Sequence, residues 1–194
     1  MQKHEENNNH MHLIFLHGAP GVGKRTIALE LSRELQFPFL NFHHLSALLG
    51  PVFGYSTDTF NELRDKTYQA VIENAMALPE DGLIASFTYE PSIPLDNFKR
   101  FIEAAQNSGG MGLFIGLTCT TDDLKGRVES PERASMDKVS DFQKLAESVS
   151  SGIFELPTLP GPSITIDTSG ETPEETVQNI LAMLPEDLKD NMIF

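Results

Sequence analysis

The sequence predicts an α/β protein built on a parallel sheet covered by helices on both faces. Short apolar runs alternate with segments of helical periodicity along most of the chain. The apolar runs lack the polar alternation of a half-exposed strand, as strands buried on both faces must. A glycine-rich turn joins the first such run to the first helix. At 194 residues, 40% hydrophobic and 22% charged, the chain has the size and balance of one ordinary globular domain.

Met1 to His12 (MQKHEENNNHMH) is polar and lacks a secretory h-region. It predicts a disordered leader over residues 1–11, partly an extension before a start at Met11, ahead of a single domain over 12–194. Leu13 to Leu16 is the first strand. Thr26 to Leu35 is helical, with Ile27, Ala28, Leu31 and Leu35 on one face. Phe37 to Phe42 reads as the second strand. A short helix around Leu45 to Leu49 follows and is broken by Gly50-Pro51. The longest helical pattern runs from Phe60 to Leu78, with Thr59-x-x-Glu62 as a capping box and Asp58 as a cap. Gly82 to Phe87, Gly112 to Leu117 and Ser163 to Asp167 are the third, fourth and fifth strands. Leu95 to Gln106 supplies the helix between strands three and four. Thr172-Pro173-Glu174-Glu175 combines a cap, a first-turn proline and a capping-box glutamate. The helix it opens turns Val177, Ile180, Leu181 and Leu184 inward. Ser130 to Ser150, rich in charge and serine and poor in large apolar residues, predicts a flap rather than a core element.

The formal net charge is −14, from 14 basic and 28 acidic residues. Such a surface repels phosphate backbones and anionic lipids, which argues against nucleic-acid and membrane-surface partners. No apolar run approaches the ~20 residues of a membrane span. The single cysteine, Cys119, has no internal partner and reads as a small hydrophobe in a reducing, cytoplasmic setting.

The residues that carry chemistry are Gly18-Ala19-Pro20-Gly21-Val22-Gly23-Lys24-Arg25-Thr26, between the first strand and the first helix. Glycines at 18, 21 and 23 let consecutive N–H groups converge on one anion. The helix adds the positive end of its dipole, and Lys24 a mobile cation for the outer phosphates. Strand, loop and helix stand in the order of a P-loop, so the nucleotide is a triphosphate. Arg25 occupies the place of the usual magnesium-binding hydroxyl and cannot ligate the ion.

Gly18 to Thr26 (GAPGVGKRT) resembles the GxPGxGKGT loop of adenylate kinases, where a threonine also stands two residues after the lysine. By that resemblance Thr26 helps organise Mg²⁺, and Arg25 faces phosphate or solvent. The wider run from Phe15 to Leu45, Phe53-Gly54, Leu63-Arg64 and Ile166-Asp167-Thr168 are similar to a family of small bacterial P-loop proteins. Its members are named as kinases or AAA-type ATPases, and it is related to shikimate kinase and the adenylate kinase-like nucleoside-monophosphate kinases. The resemblance implies a three-layer P-loop NTPase fold, a five-stranded parallel sheet of order 2-3-1-4-5, an acceptor-binding region and a helical lid at about residues 127–150. Ligands then sit at the carboxyl ends of the strands.

The same resemblance implies that lid arginines, Arg127 and Arg133, close over the transferring phosphoryl group, where planar guanidinium groups suit its spread charge. It places the acceptor near Asn41, His43 and His44, and an anionic part of the acceptor near Arg64. A histidine here has an unperturbed pKa of ~6.5, suited to a base. Equally, one of the pair caps or packs beneath the following helix, and Arg64 is equally an exposed helix arginine paired with Asp65 or Glu62. Phe53 and Tyr55 flank Gly54 as a candidate aromatic wall. Glu90 is the best-placed carboxylate after strand three, and Asp167-Thr168-Ser169-Gly170 resembles the loop that contacts adenine. A strand ending in a Walker B aspartate is missing: strand three ends in Ser86-Phe87-Thr88, whose hydroxyls at 86 or 88 are candidates to hold a magnesium-bound water.

The functional expectation is a phosphotransferase that uses ATP and Mg²⁺ and moves the γ-phosphoryl group to a small-molecule acceptor, as a monomer or homodimer. The alternative is an ATP-binding module with weak or no turnover, used for regulation. The chain has no NKxD-type guanine-reading motif and no room for the second domain of a mechanical AAA+ ATPase.

Overall fold

The computed structural model describes residues 11–78, 80–89, 91–130, 142–152, 154 and 158–189. Residues 1–10 of the expected leader, Glu90 and Arg133 lie outside the described residues. Five strands form one parallel sheet: β1 (His12–His17), β2 (Phe39–Asn41), β3 (Gly82–Ser86), β4 (Gly112–Thr118) and β5 (Ser163–Asp167), in the order β2-β3-β1-β4-β5. This is the order the resemblance implied. β1 is central, with Leu16 opposite Ser86 on one side and Ile115 on the other.

Alternate residues of β1 enter two different cores, which is why its sequence shows no polar alternation. Ile14 and Leu16 meet α1 (Lys24–Leu35), α5 (Thr121–Val128), α6 (Phe142–Ser150) and α7 (Pro173–Met183), through side chains such as Leu31, Leu124, Leu145 and Ile180. Leu13 and Phe15 meet α2 (Phe42–Phe53), α3 (Asp58–Ala75) and α4 (Leu95–Asn107). A short α8 (Glu186–Lys189) follows α7. The second core is aromatic. Phe15 stacks on Phe114 at 5.2 Å and on Phe101 at 5.6 Å between ring centroids, pairs worth ~0.5–1.5 kcal/mol each beyond their buried area. α2 is clasped to α3 by Tyr68, whose ring stacks on Phe42 at 4.0 Å and whose hydroxyl donates to the Phe42 carbonyl at 3.0 Å. β5 is an edge strand and does alternate, turning Ile164 and Ile166 inward and Ser163, Thr165 and Asp167 outward.

Several local expectations are corrected. Met11, assigned to the leader, is fully buried in the aromatic core, and His12 already opens β1. The thioether side chain fills core space that the polar residues before it could not. β2 is three residues long, because Phe42 belongs to α2. α2 does not break at Gly50-Pro51 but runs to Phe53, with Gly54 N–H donating to the Gly50 carbonyl at 2.9 Å. Pro51 stands in the last turn, where it removes one N–H and leaves little helix downstream to be bent. The cap of α3 is Thr57, whose Oγ1 accepts from Phe60 N–H at 3.2 Å. Asp58 is therefore the first helical residue and acts through the dipole instead. The capping box at Thr172 and Glu175 forms as the sequence predicts.

The expected flap is also corrected in its second half. α6 turns Leu145 into the core, with Phe142 packed against the same cluster. The apolar content of this stretch is small but falls on one helical face, and one buried leucine suffices to dock a short helix. Leu145→Ala should therefore cost about 2–5 kcal/mol in urea unfolding. A loss near zero would mean that α6 is not part of the core.

Candidate phosphate-binding site

The site begins where β1 ends. Gly18 and Gly21 adopt φ of 142° and 100°, in the left-handed half of the map that side chains disfavour. Space imposes the same restriction. A Cβ on Gly18 would lie 2.3 Å from the Leu117 carbonyl oxygen, and one on Gly21 would lie 2.6 Å from Leu124 Cδ1. The loop is thus pressed against β4 and α5. α1 starts at Lys24 with no acidic residue in its first turn, so the positive end of its dipole is uncompensated. Lys24 Nζ donates to the carbonyls of Gly18 at 2.7 Å and Ala19 at 2.8 Å, curling its charge over the loop. Arg25 and Thr26 are exposed on the first turn of α1.

Arg127 closes the loop from the other side. Its guanidinium donates to Thr168 Oγ1 at 2.8 Å, to the Thr168 carbonyl at 2.6 Å and to the Val22 carbonyl at 3.3 Å. Thr168 is buried, and its N–H and hydroxyl both donate to the Thr118 carbonyl. α5, the P-loop and the ends of β4 and β5 are therefore tied at one point. Asp167 beside it is exposed. Hydrogen bonds from the Ser169 hydroxyl and N–H hold its carboxyl below the usual range, with a lesser contribution from Arg127.

The residues expected around the acceptor fall into two groups. Asn41 is the cap of α2, its Oδ1 accepting from His43 N–H at 3.0 Å, so neither histidine is the cap. His43 and His44 are exposed on the first turn. Arg64 is not on a polar face: it is 2% exposed and sits beneath α3. Its side chain bonds Asp65 at 2.9 Å, Ser92 Oγ at 3.3 Å and the Ser92 carbonyl at 3.1 Å, tying α3 to the segment after β3. Ser86, at the end of β3 where a Walker B carboxylate would stand, is buried.

One residue escaped the sequence reading. His17, the last residue of β1, is 3% exposed and stacked on Phe87 at 5.6 Å, with Phe114 edge-on at 6.4 Å. Its Nδ1 has no partner among the described residues. Burial, and then the charge of Lys24, lower its pKa from 6.5 to about 4, so the ring is neutral at physiological pH. The available signal was parity: two residues after Phe15 on β1, His17 had to face the aromatic core.

The fit to Mg²⁺ and a nucleotide is consistent. Among the described residues there is no cluster of three His, Cys, Asp or Glu. Magnesium does not need one, because it keeps several waters and takes substrate phosphate oxygens. The hydroxyl-bearing Thr26 is exposed in the first turn of α1. No helix of the described residues is long and apolar enough to cross a membrane.

Two measurements check this geometry. Arg127→Ala should lower stability by about 1–3 kcal/mol, since carbonyls of Val22 and Thr168 lose a charged donor; an unchanged denaturation midpoint would show that the tie carries nothing. His17 binds its proton less readily in the folded chain than in the unfolded one. Native stability should therefore fall as pH drops from 6.5 to about 4, with His17 contributing up to about 3 kcal/mol of the loss. His17→Phe should flatten that part of the stability–pH curve, and an unaltered slope would contradict the burial of the imidazole.

No family model matches the chain, and no curated protein matches it in sequence. Solved structures do match in fold. A gluconokinase from Sinorhizobium meliloti superimposes with a TM-score of 0.60 at 15% identity, covering 94% of this chain and 93% of that one. A shikimate kinase from Bacteroides thetaiotaomicron gives a TM-score of 0.53 at 19% identity, covering 88% and 97%. A tunicamycin resistance protein from Deinococcus radiodurans gives 0.51 at 15% identity, covering 94% and 97%. The chain thus has the fold of the small P-loop kinases over nearly its whole length.

Proposed function

We propose that the chain is an ATP-dependent phosphotransferase acting on the hydroxyl group of a small molecule. The observation that carries the reading is the loop from Gly18 to Thr26: left-handed glycines packed on β4, a helix N-terminus without acidic residues, and Lys24 curled over the loop carbonyls. The small-molecule kinases among its structural relatives support the acceptor class.

In this reading the backbone N–H groups of Gly21 to Lys24 bind the β- and γ-phosphates, and Lys24 exchanges its two carbonyl partners for phosphate oxygens. Thr26 and Ser86 hold the Mg²⁺ side, directly or through water. When bound, Mg²⁺ neutralises charge on the phosphates. The acceptor oxygen bonds to the γ-phosphorus, the bond from that phosphorus to the bridging oxygen breaks, and ADP leaves with the electron pair. The hydroxyl proton passes to His43, His44, Glu90 or water. Arg127 keeps the loop in shape through Val22 and Thr168, and Arg133 supplies charge to the transferring group. Asp167 and Thr168 border the base. Asn41 and Arg64 contribute by holding α2 and α3 in place around the acceptor.

Lys24→Ala with Mg·ATP tests the reading. At about 100 times its dissociation constant, ATP should raise the wild-type melting temperature by about 5–10 °C. The variant should show no rise and no ADP release. Unchanged stabilisation would overturn the P-loop assignment. ATP binding with no release for any acceptor would favour a regulatory nucleotide-binding module, the reading that Ser86 in place of a carboxylate supports.

A further inference from the structure

α2 is apolar on two faces, and the chain covers one of them. From Gln36 to Thr57 there is no Asp, Glu, Lys or Arg, in a protein of net charge −14. One face turns Phe42 and Leu45 toward the aromatic core, where Phe42 stacks on Tyr68 of α3. On the other, Ala47, Leu48, Pro51 and Val52 recur at three- and four-residue steps. All four are exposed, Leu48 by 69% and Val52 by 72%. A helix apolar all round is ordinarily buried all round.

The carboxyl end of α2 carries an aromatic ring held in place. Tyr55 folds back onto Gly50, where a Cβ would lie 2.2 Å from its ring, and it packs beside Phe60 at 5.5 Å between centroids. Glycine at 50 thus gives the ring its seat on the helix. The ring is nonetheless 60% exposed, and Phe53 is 40% exposed. An aromatic fixed in advance loses little conformational freedom when it is covered, as suits an interface anchor. Large side chains offer ~150–250 Å² each, so Leu48, Val52, Phe53, Tyr55 and the smaller residues between them present roughly 500 Å² of apolar surface. Patches of that size mark interaction sites.

We propose that this face binds the same face of a second copy of the chain, with the two α2 helices antiparallel and Leu48 of each copy against Val52 of the other. Charge selects this occupant. Two copies of net charge −14 repel one another on approach, and the stretch from Gln36 to Thr57 brings no acidic side chain to their contact. A partner of opposite charge would be steered to the acidic remainder of the surface instead. Two faces of roughly 500 Å² bury roughly 1,000 Å² together, the area that a specific interface must clear. A two-fold axis makes the contact isologous, so the apolar stripe needs no complementary patch elsewhere on the molecule. Antiparallel packing also sets the N-terminus of each α2 beside the C-terminus of the other, with their dipoles opposed. The inference is independent of the kinase reading.

Sedimentation of the full-length chain, without nucleotide or acceptor, reads the oligomeric state. A dimer should form with a dissociation constant in the micromolar range. It should tighten as NaCl rises from about 0.05 to about 0.5 M, because salt screens the repulsion between two acidic copies. Leu48→Lys and Val52→Glu should each weaken it at least about tenfold with an unchanged circular dichroism spectrum, since each brings two unpaired charges into the interface. An equimolar mixture of the two variants should restore association. One of its two contacts then pairs opposite charges across the axis, and the other is Leu48 on Val52 as in the wild type. A wild type that stays monomeric to about 100 µM would overturn the proposal. So would a dimer that neither variant weakens, a dimer that salt dissociates, or a mixture that fails to associate. A monomeric wild type in which Val52→Glu raises KM for an acceptor would assign the face to substrate and overturn it as well.

Discussion

The approach of Gly18 to the Leu117 carbonyl constrains the rest of the structure. The loop after β1 can turn over the sheet edge only because there is no side chain where a Cβ would lie 2.3 Å from that oxygen. With the loop lying on β4, α5 closes against Gly21 through Leu124 and Val128, and the N-terminus of α1 faces the space above the sheet. Lys24 and the dipole of α1 thus meet at one point, giving the carboxyl edge a positive centre in a strongly acidic protein.

A second constraint fixes the other wall. Arg127 joins the loop to the end of β5 through carbonyls and a hydroxyl, and Thr168 passes the tie on to β4. A guanidinium suits this place because its planar donors can serve several oxygens of different elements at once. Alternation along β1 separates the two faces of the sheet. Ile14 and Leu16 enter the aliphatic core under α1, α5, α6 and α7. Leu13 and Phe15 enter the aromatic layer under α2–α4, where His17 stacks on Phe87.

The legible parts of the fold were those governed by local rules. Uninterrupted apolar runs reported strands buried on both faces, and the capping box at Thr172 reported the start of α7 from four residues. The P-loop was legible because its spacing of glycines and lysine encodes its own backbone shape. The strand order came through the resemblance rather than from residue pattern. Less legible were positions where partners distant in sequence decide the outcome. Arg64 looked like a surface arginine, yet Ser92 draws it inward; Pro51 looked like a stop, yet α2 carries on past it for two residues. Leu145 made a flap into a docked helix, and Met11 made the end of a polar leader into core.

By itself the sequence determined the class of fold, the site of the phosphate loop and the absence of charge along β2 and α2, because each resides in residues adjacent along the chain. Tertiary structure decided which side chains share that site. Arg127 and Val22 are neighbours only after β4 and α5 return to the loop, and His17 stays neutral down to about pH 4 because burial and then the charge of Lys24 act on it. Such pairings depend on the register of parallel strands separated by whole helices, and no local pattern in the chain records that register.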